Sequence, residues 1–256
     1  MPNADIDATI AKLDRAVAEA RARNPRLALF GALYRQTTLA VGRGVEAGAF
    51  DDGERMGRFI ALFAGRYLEA LRVAAAGGQP TRSWRRAFAA AERTDRVILQ
   101  HLILGINAHI NLDLGVVAAQ VAPGDAIDDL KADFRRINDV LGRLSPPVQD
   151  CLGRFSPLLH VLFRVSGTTD DEVLNFSFKV ARNDAWAEAV TLAHLDPAVV
   201  PMAVAALDRK VSVLGKLVTD PGGLMERAVD VVAFTESDDI EAVVDALGEV
   251  ELPLPA

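Results

Sequence analysis

The chain has 256 residues, half of them hydrophobic and a quarter charged, a composition that excludes a disordered chain and fits a packed globule. Its net charge of -7 disfavours generic binding to phosphate backbones, so no nucleic-acid partner is expected. The single cysteine, Cys151, excludes an internal disulfide and fits a reducing compartment, so a cytoplasmic location is expected.

Helix signals then follow one another along the chain. Met1 to Leu13 has no basic segment leading into an apolar one, so no signal peptide is expected there. Ile6, Ile10, Leu13, Val17 and Ala20 instead make the stripe of a first amphipathic helix, ending near Asn24-Pro25 because proline disfavours helical geometry in the residue before it. A second helix is predicted from about Leu27 to Ala47. Asp51 or Asp52 suits the N-cap of a third, about Gly53 to Ala76, with Met56, Phe59, Ile60, Phe63, Tyr67 and Leu71 as its stripe. Gly77-Gly78-Gln79-Pro80 stops that helix, and Thr81 or Ser83 is placed to cap a short fourth, about Arg82 to Ala91. The fifth is predicted over about Asp95 to Val121 and the sixth over about Ile127 to Leu144. A seventh, about Val148 to Val165, carries Pro157 and should kink or split there. Gly167 to Asp171 is a turn and cap before an eighth helix to about Leu195. Two more are predicted, about Ala198 to Val218 and Pro221 to Val232. An acidic tail, 235 to 256, has room for one short helix near Ile240 to Leu247.

No alternating β-branched stretch between turn residues occurs. The expected fold is all-α: one domain over residues 1–256, a bundle of about nine or ten helices. Charges interrupt the apolar runs short of about 18 residues, so no membrane span is expected.

The fifth helix stands apart. Between His101 and Gln120 its apolar residues, Leu102, Leu104, Ile106, Ile110, Leu112 and Leu114 among them, spread around the cylinder. A helix apolar all round is buried, so its polar side chains are buried too and need partners. His101, Gly105, His109 and Asp113 fall four apart, each about 40° round from the last, on one slowly winding ridge. Asp113 can orient the His109 ring, or the two can share a divalent metal. His101 lies about 12 Å from His109 along the axis, too far for one ion to touch both easily. A metal would need a third ligand, for which His160, His194, Asp133 and Glu188 are candidates. Gly105 leaves room for a ligand, a water or a crossing helix. Asn107 and Asn111 point away from His109 and suit hydrogen bonds to a neighbouring helix. Arg182 and Trp186 are spaced to stack and to face an anionic group, and Tyr34, Arg35, Thr38, Arg66 and Tyr67 are polar groups within apolar helices placed to reach the same centre or a neighbouring helix.

The run His101-Leu102, Gly105-Ile106-Asn107-Ala108-His109-Ile110 and Asp113-Leu114 resembles the signature of a bacterial and fungal all-helical family known as a domain of unknown function. Phe50-Asp51, Phe63-Ala64, Arg66-Tyr67-Leu68, Trp84, Phe88, Ala181-Arg182 and Ala185-Trp186 are similar to it as well. The resemblance covers about Pro25 to Leu195. It implies one domain centred on His109 and Asp113 and brings no reaction with it.

Together these residues point to a small-molecule enzyme with its pocket inside the bundle. His109, Asp113 and His101 are the catalytic candidates, with His101 at the pocket's other end. Asn107, Arg182, Trp186, Tyr67 and Arg66 are the substrate-binding candidates, and His109 with Asp113 would hold any divalent metal. Two alternatives stay open: a non-enzymatic carrier of an apolar ligand, and a structural domain whose His, Asn and Asp side chains form a buried packing network. No oligomeric state follows from the sequence.

Overall fold

The computed structural model describes residues 2–142, 145–165 and 170–251. Among them there are twelve helices and no strand. In chain order these are α1 (Pro2–Arg23), α2 (Pro25–Glu46), α3 (Gly53–Ala75), α4 (Arg82–Ala91), α5 (Ile98–Val121), α6 (Ile127–Gly142), α7 (Ser145–Phe155), α8 (Leu159–Val165), α9 (Asp170–Ala193), α10 (Val200–Thr219), α11 (Gly223–Thr235) and α12 (Ile240–Gly248). The expected nine or ten become twelve for local reasons. Pro157 divides the seventh predicted helix into α7 and α8, and the tail does fold a helix, α12. The expected end of the sixth helix at Leu144, the turn at Gly167 to Thr169 and the last five residues of the tail lie outside the described residues.

Local chemistry sets the boundaries. Asn24 caps α2 by accepting the Arg26 N–H at 3.0 Å, with Pro25 in the first turn. Asp52 caps α3 by accepting the Arg55 N–H at 2.8 Å. Thr81 stands at the N-cap of α4 but makes no capping bond with its side chain. The Asp208 carboxylate, from α10, accepts the N–H groups of Arg82 and Ser83 and the Ser83 hydroxyl instead. In the same way Asp133, from α6, accepts the Asp51 and Asp52 N–H groups before α3 and pairs with Arg55 and Arg136. Distant carboxylates thus do work that local sequence rules assign to the nearest hydroxyl.

The helices pack round α5. Its first half meets α2, α4 and α10, and its second half meets α3 and α9. One continuous core runs from Ile6 in α1 to Val250 beyond α12. The tail helix belongs to that core: Ile240, Val243, Val244 and Leu247 are buried, and Arg21 on α1 pairs with Glu241 and Asp245. Cys151 is buried, and desolvation pushes its thiol pKa up, so it acts as a small apolar side chain. The expectation that charges break every long apolar run needs correction. Ile98–Val121 is long and apolar enough to cross a membrane by length and composition, because Asp113 is the one Asp, Glu, Lys or Arg in it. Most of that helix is enclosed by its neighbours in the fold.

Gly105 makes room for a crossing helix. A Cβ there would stand 2.4 Å from the Phe30 ring of α2. Gly115 does the same for α9, where a Cβ would stand 2.8 Å from the Ala185 carbonyl oxygen. Gly105→Ala is therefore expected to cost about 1–3 kcal/mol through overpacking. Combined with Phe30→Leu it should cost less than the two single losses added together, as read by urea unfolding. Strictly additive losses would mean that the two positions do not meet.

Candidate functional site

Halfway along α5 the hydrogen bonding widens to a π-turn over His109–Leu114. Such turns are rare and often mark functional positions, since the i→i+5 pattern re-aims the side chains around it. His109 opens the turn and Asp113 lies within it. The ring Nδ1 of His109 stands 3.4 Å from Asp113 Oδ2, a long contact. The firmer bonds of Asp113 go elsewhere. Its Oδ1 accepts Nε–H of Arg66 at 2.9 Å, and its Oδ2 accepts the indole N–H of Trp84 at 2.8 Å. The carboxylate is wholly buried, while Arg66 reaches partway to the surface.

Aromatic rings enclose the imidazole. It stacks on Phe63 with centroids 3.6 Å apart and planes 10° from parallel, and meets the Tyr34 ring edge-on at 4.3 Å. Phe30, Tyr67 and Trp84 complete the surround at 5.6 to 6.5 Å. Burial is the largest influence on its pKa and pushes it down, against the opposing pull of Asp113. Nε2 of His109 is buried and has no hydrogen-bond partner among the described residues.

His109 also lines a cavity of about 130 Å³. The walls come from α2, α3, α5, α6, α7 and α9 and are almost all apolar: Leu33, Val41, Ile60, Ile103, Ile106 and Leu152 are representative. Arg182 of α9 reaches the same wall. Thr37 and Thr38 line it too, but their hydroxyls donate to the Leu33 and Tyr34 carbonyl oxygens of their own helix.

Of the expected site residues, the fold brings together His109, Asp113, Arg66, Tyr34 and Tyr67, although Asp113, Arg66 and Tyr67 stand behind the imidazole rather than on the cavity wall. His101 does not line the cavity. It is buried two turns earlier, close to Arg26, and burial followed by that charge pushes its pKa down to about 4. Asn107 holds α10 by donating to the Val211 carbonyl at 3.0 Å and accepting from Asn111 at 2.9 Å, the interhelical role its direction suggested. Trp186 packs on Phe134 at 4.9 Å and is not on the cavity wall.

The metal reading does not fit these side chains. Among the described residues no group of three or more His, Cys, Asp or Glu could hold an ion. Asp133 is committed to capping α3, Glu188 pairs with Lys210, His194 pairs with Asp125 on the surface, and His160 is exposed. Asp113 already balances a guanidinium. Trp84, Phe63 and Phe30 are the site residues that sequence patterns passed over as core aromatics. Their only signal is the resemblance at Phe63 and Trp84, because nothing local distinguishes a ring that supports a site from one that fills space.

Asp113→Ala should cost about 3–5 kcal/mol, since it strands a guanidinium and a buried indole N–H. Asp95→Ala, which opens a surface pair with Arg93, should cost under about 1 kcal/mol. Urea unfolding of both variants checks this, and equal small losses would refute it. Acidification gives a second test. Both histidines have folded pKa values below their ordinary 6.5, so the unfolded chain binds the proton first. Stability is then full above about pH 6.5 and falls toward pH 4, by at most about 1.4 kcal/mol per pH unit for each histidine. His101→Leu should flatten that slope between pH 7 and 5, and an unchanged slope would acquit His101.

Neither the curated proteins nor the solved structures contain a match to the chain. A family model described as a family of unknown function, DUF5995, matches residues 6–221, which carry the π-turn, the Asp113 contacts and every wall of the cavity. The chain, matched over most of its length, belongs to the family of unknown function DUF5995.

Proposed function

We propose that the protein binds a small, largely apolar molecule in the cavity beside the π-turn. The observation that carries this is the half-open pocket itself, about 130 Å³ lined mostly by aliphatic and aromatic side chains, with the His109 imidazole among them. Packed cores hold few such spaces, because leaving one unfilled costs its lining van der Waals contacts. An apolar ligand of one ring, or a short acyl segment, recovers that cost by restoring contacts; engineered apolar cavities of about 150 Å³ take up benzene. Tyr34, Thr37, Thr38, His109 and Arg182 bring polar atoms to the cavity lining that can orient such a molecule.

The His109–Asp113 pair favours a second reading, an enzyme acting on the captured molecule. An imidazole held by a carboxylate at Nδ1, with no partner for Nε2 among the described residues, is the arrangement of a general base. Among the described residues lining the cavity there is no serine, cysteine or lysine, so any reaction would begin with proton removal from the ligand.

Benzene serves as the first probe. Saturating benzene should raise the unfolding temperature, since a ligand that binds only the folded state stabilises it. Val41→Phe, which fills part of the cavity from α2, should abolish that shift while leaving the chain folded. Absence of any shift with benzene, toluene or cyclohexane would end the binding reading. Conversion of a bound molecule that is lost in His109→Gln, with benzene uptake retained, would establish the enzyme.

A further inference from the structure

A second surface stands apart from the cavity, on α10, which lends the cavity wall none of its residues. We propose that the exposed face of α10 docks the protein on an anionic lipid surface, with the helix lying in the plane of the headgroups.

The order of residues round the helix carries this. Leu207, Asp208, Val211, Gly215 and Thr219 are buried, on the side where α10 meets α4 and α5. At about 100° per residue, Met202, Ala206, Val213 and Leu217 fall on the opposite side, within about 60° of one another. Met202 is 68% exposed, and Val213 and Leu217 are each 62% exposed. Single exposed apolar side chains are common, but a helix that faces only water turns a polar face outward. Here large apolar side chains line up along that face instead. Lys210 borders the strip on one side, and Arg209 and Lys216 border it on the other, each within about 40° of its edge. An apolar strip with cations at both margins is what an interfacial helix presents. Its apolar side chains enter the acyl layer, and its long cationic ones extend to the headgroups.

Charge selects the lipid. The one carboxylate of α10, Asp208, is turned inward to the N–H groups of Arg82 and Ser83. Lys210 meets Glu188 at 3.3 Å, a surface pair of little strength. Arg209 and Lys216 have no ion pair among the described residues. Arg82 and Arg85 are exposed on the turn of α4 that Asp208 holds, and they add the same sign. In a chain of net charge -7, this cationic corner meets anionic headgroups while the remaining surface is repelled by them, which orients the molecule. A second copy of the chain fits the face less well. A two-fold pair of α10 helices crossing near their midpoints would set Arg209 and Lys210 against their own copies.

Vesicle flotation of the full chain tests this, with phosphatidylcholine vesicles alone and with about a third of the lipid replaced by phosphatidylserine. The protein should float with the anionic vesicles only, and less so as salt rises. Lys216→Glu and Leu217→Gln change exposed side chains, so the unfolding temperature should hold while each weakens partitioning about tenfold. Leu62→Gln, an exposed leucine on α3, should leave partitioning unchanged. Flotation with neither vesicle, or equally with both, would overturn the proposal. Weakening by Lys216→Glu but not by Leu217→Gln would overturn the insertion of the apolar strip. A dimer in light scattering that Leu217→Gln dissolves, without flotation, would assign the face to a second copy instead.

Discussion

A carboxylate in the middle of the molecule organises the rest. Asp113 is wholly enclosed, and an ionised group in such surroundings is tolerated only with charge balance and hydrogen bonds. Its partners come from separate elements: Arg66 from α3, Trp84 from α4 and His109 one turn back on α5. Each bond has to form for the charge to remain inside, so the three helices are held in one relative register at this point. The width of the π-turn sets the aim of both Asp113 and His109. The imidazole is thereby fixed as a consequence of satisfying the carboxylate.

The same device recurs at the edges of the site. Asp208 on α10 closes the N-terminus of α4 immediately before Trp84, and so places the indole that reaches Asp113. Asp133 on α6 closes the N-terminus of α3, the helix that carries Phe63 and Arg66. Buried carboxylates at helix N-termini complement the unpaired N–H groups and the positive end of the helix dipole. Three aspartates thus link α3, α4, α5, α6 and α10 in a chain of polar contacts around an apolar void.

Much of the fold is legible in local sequence because its boundaries are local events. Pro25, Pro157 and the Gly77-Gly78 pair end helices by their own backbone chemistry, and the stripe of Met56, Phe59, Ile60, Phe63 and Tyr67 marks a face that is indeed buried. The His109–Asp113 pair is legible too, since i,i+4 spacing is a property of the helix. The π-turn is not, because no residue type demands it. Nor is the cavity: Ile60, Ile103 and Ile106 on its wall are the same kind of side chain as those that fill the core, and only the distances between helices decide which. The four other His, Asp and Glu candidates for metal ligands failed for that reason, each being claimed by a partner or a surface that composition does not reveal.

The buried polar groups of α5 separate two explanations that composition alone leaves equal. A packing network should close on itself. The Asn107 set does so, with Asn111 donating to it and its own amide donating to the Val211 carbonyl. The Asp113 set closes on the side of Arg66 and Trp84. His109 closes on one side: Nδ1 faces the carboxylate, and the buried Nε2 has no hydrogen-bond partner among the described residues. If α5 needed only a packing group there, phenylalanine would stack on Phe63 and Tyr34 as well and leave no acceptor unpaired. An imidazole there serves the Asp113 carboxylate as well as the aromatic stack, which a phenyl ring cannot do.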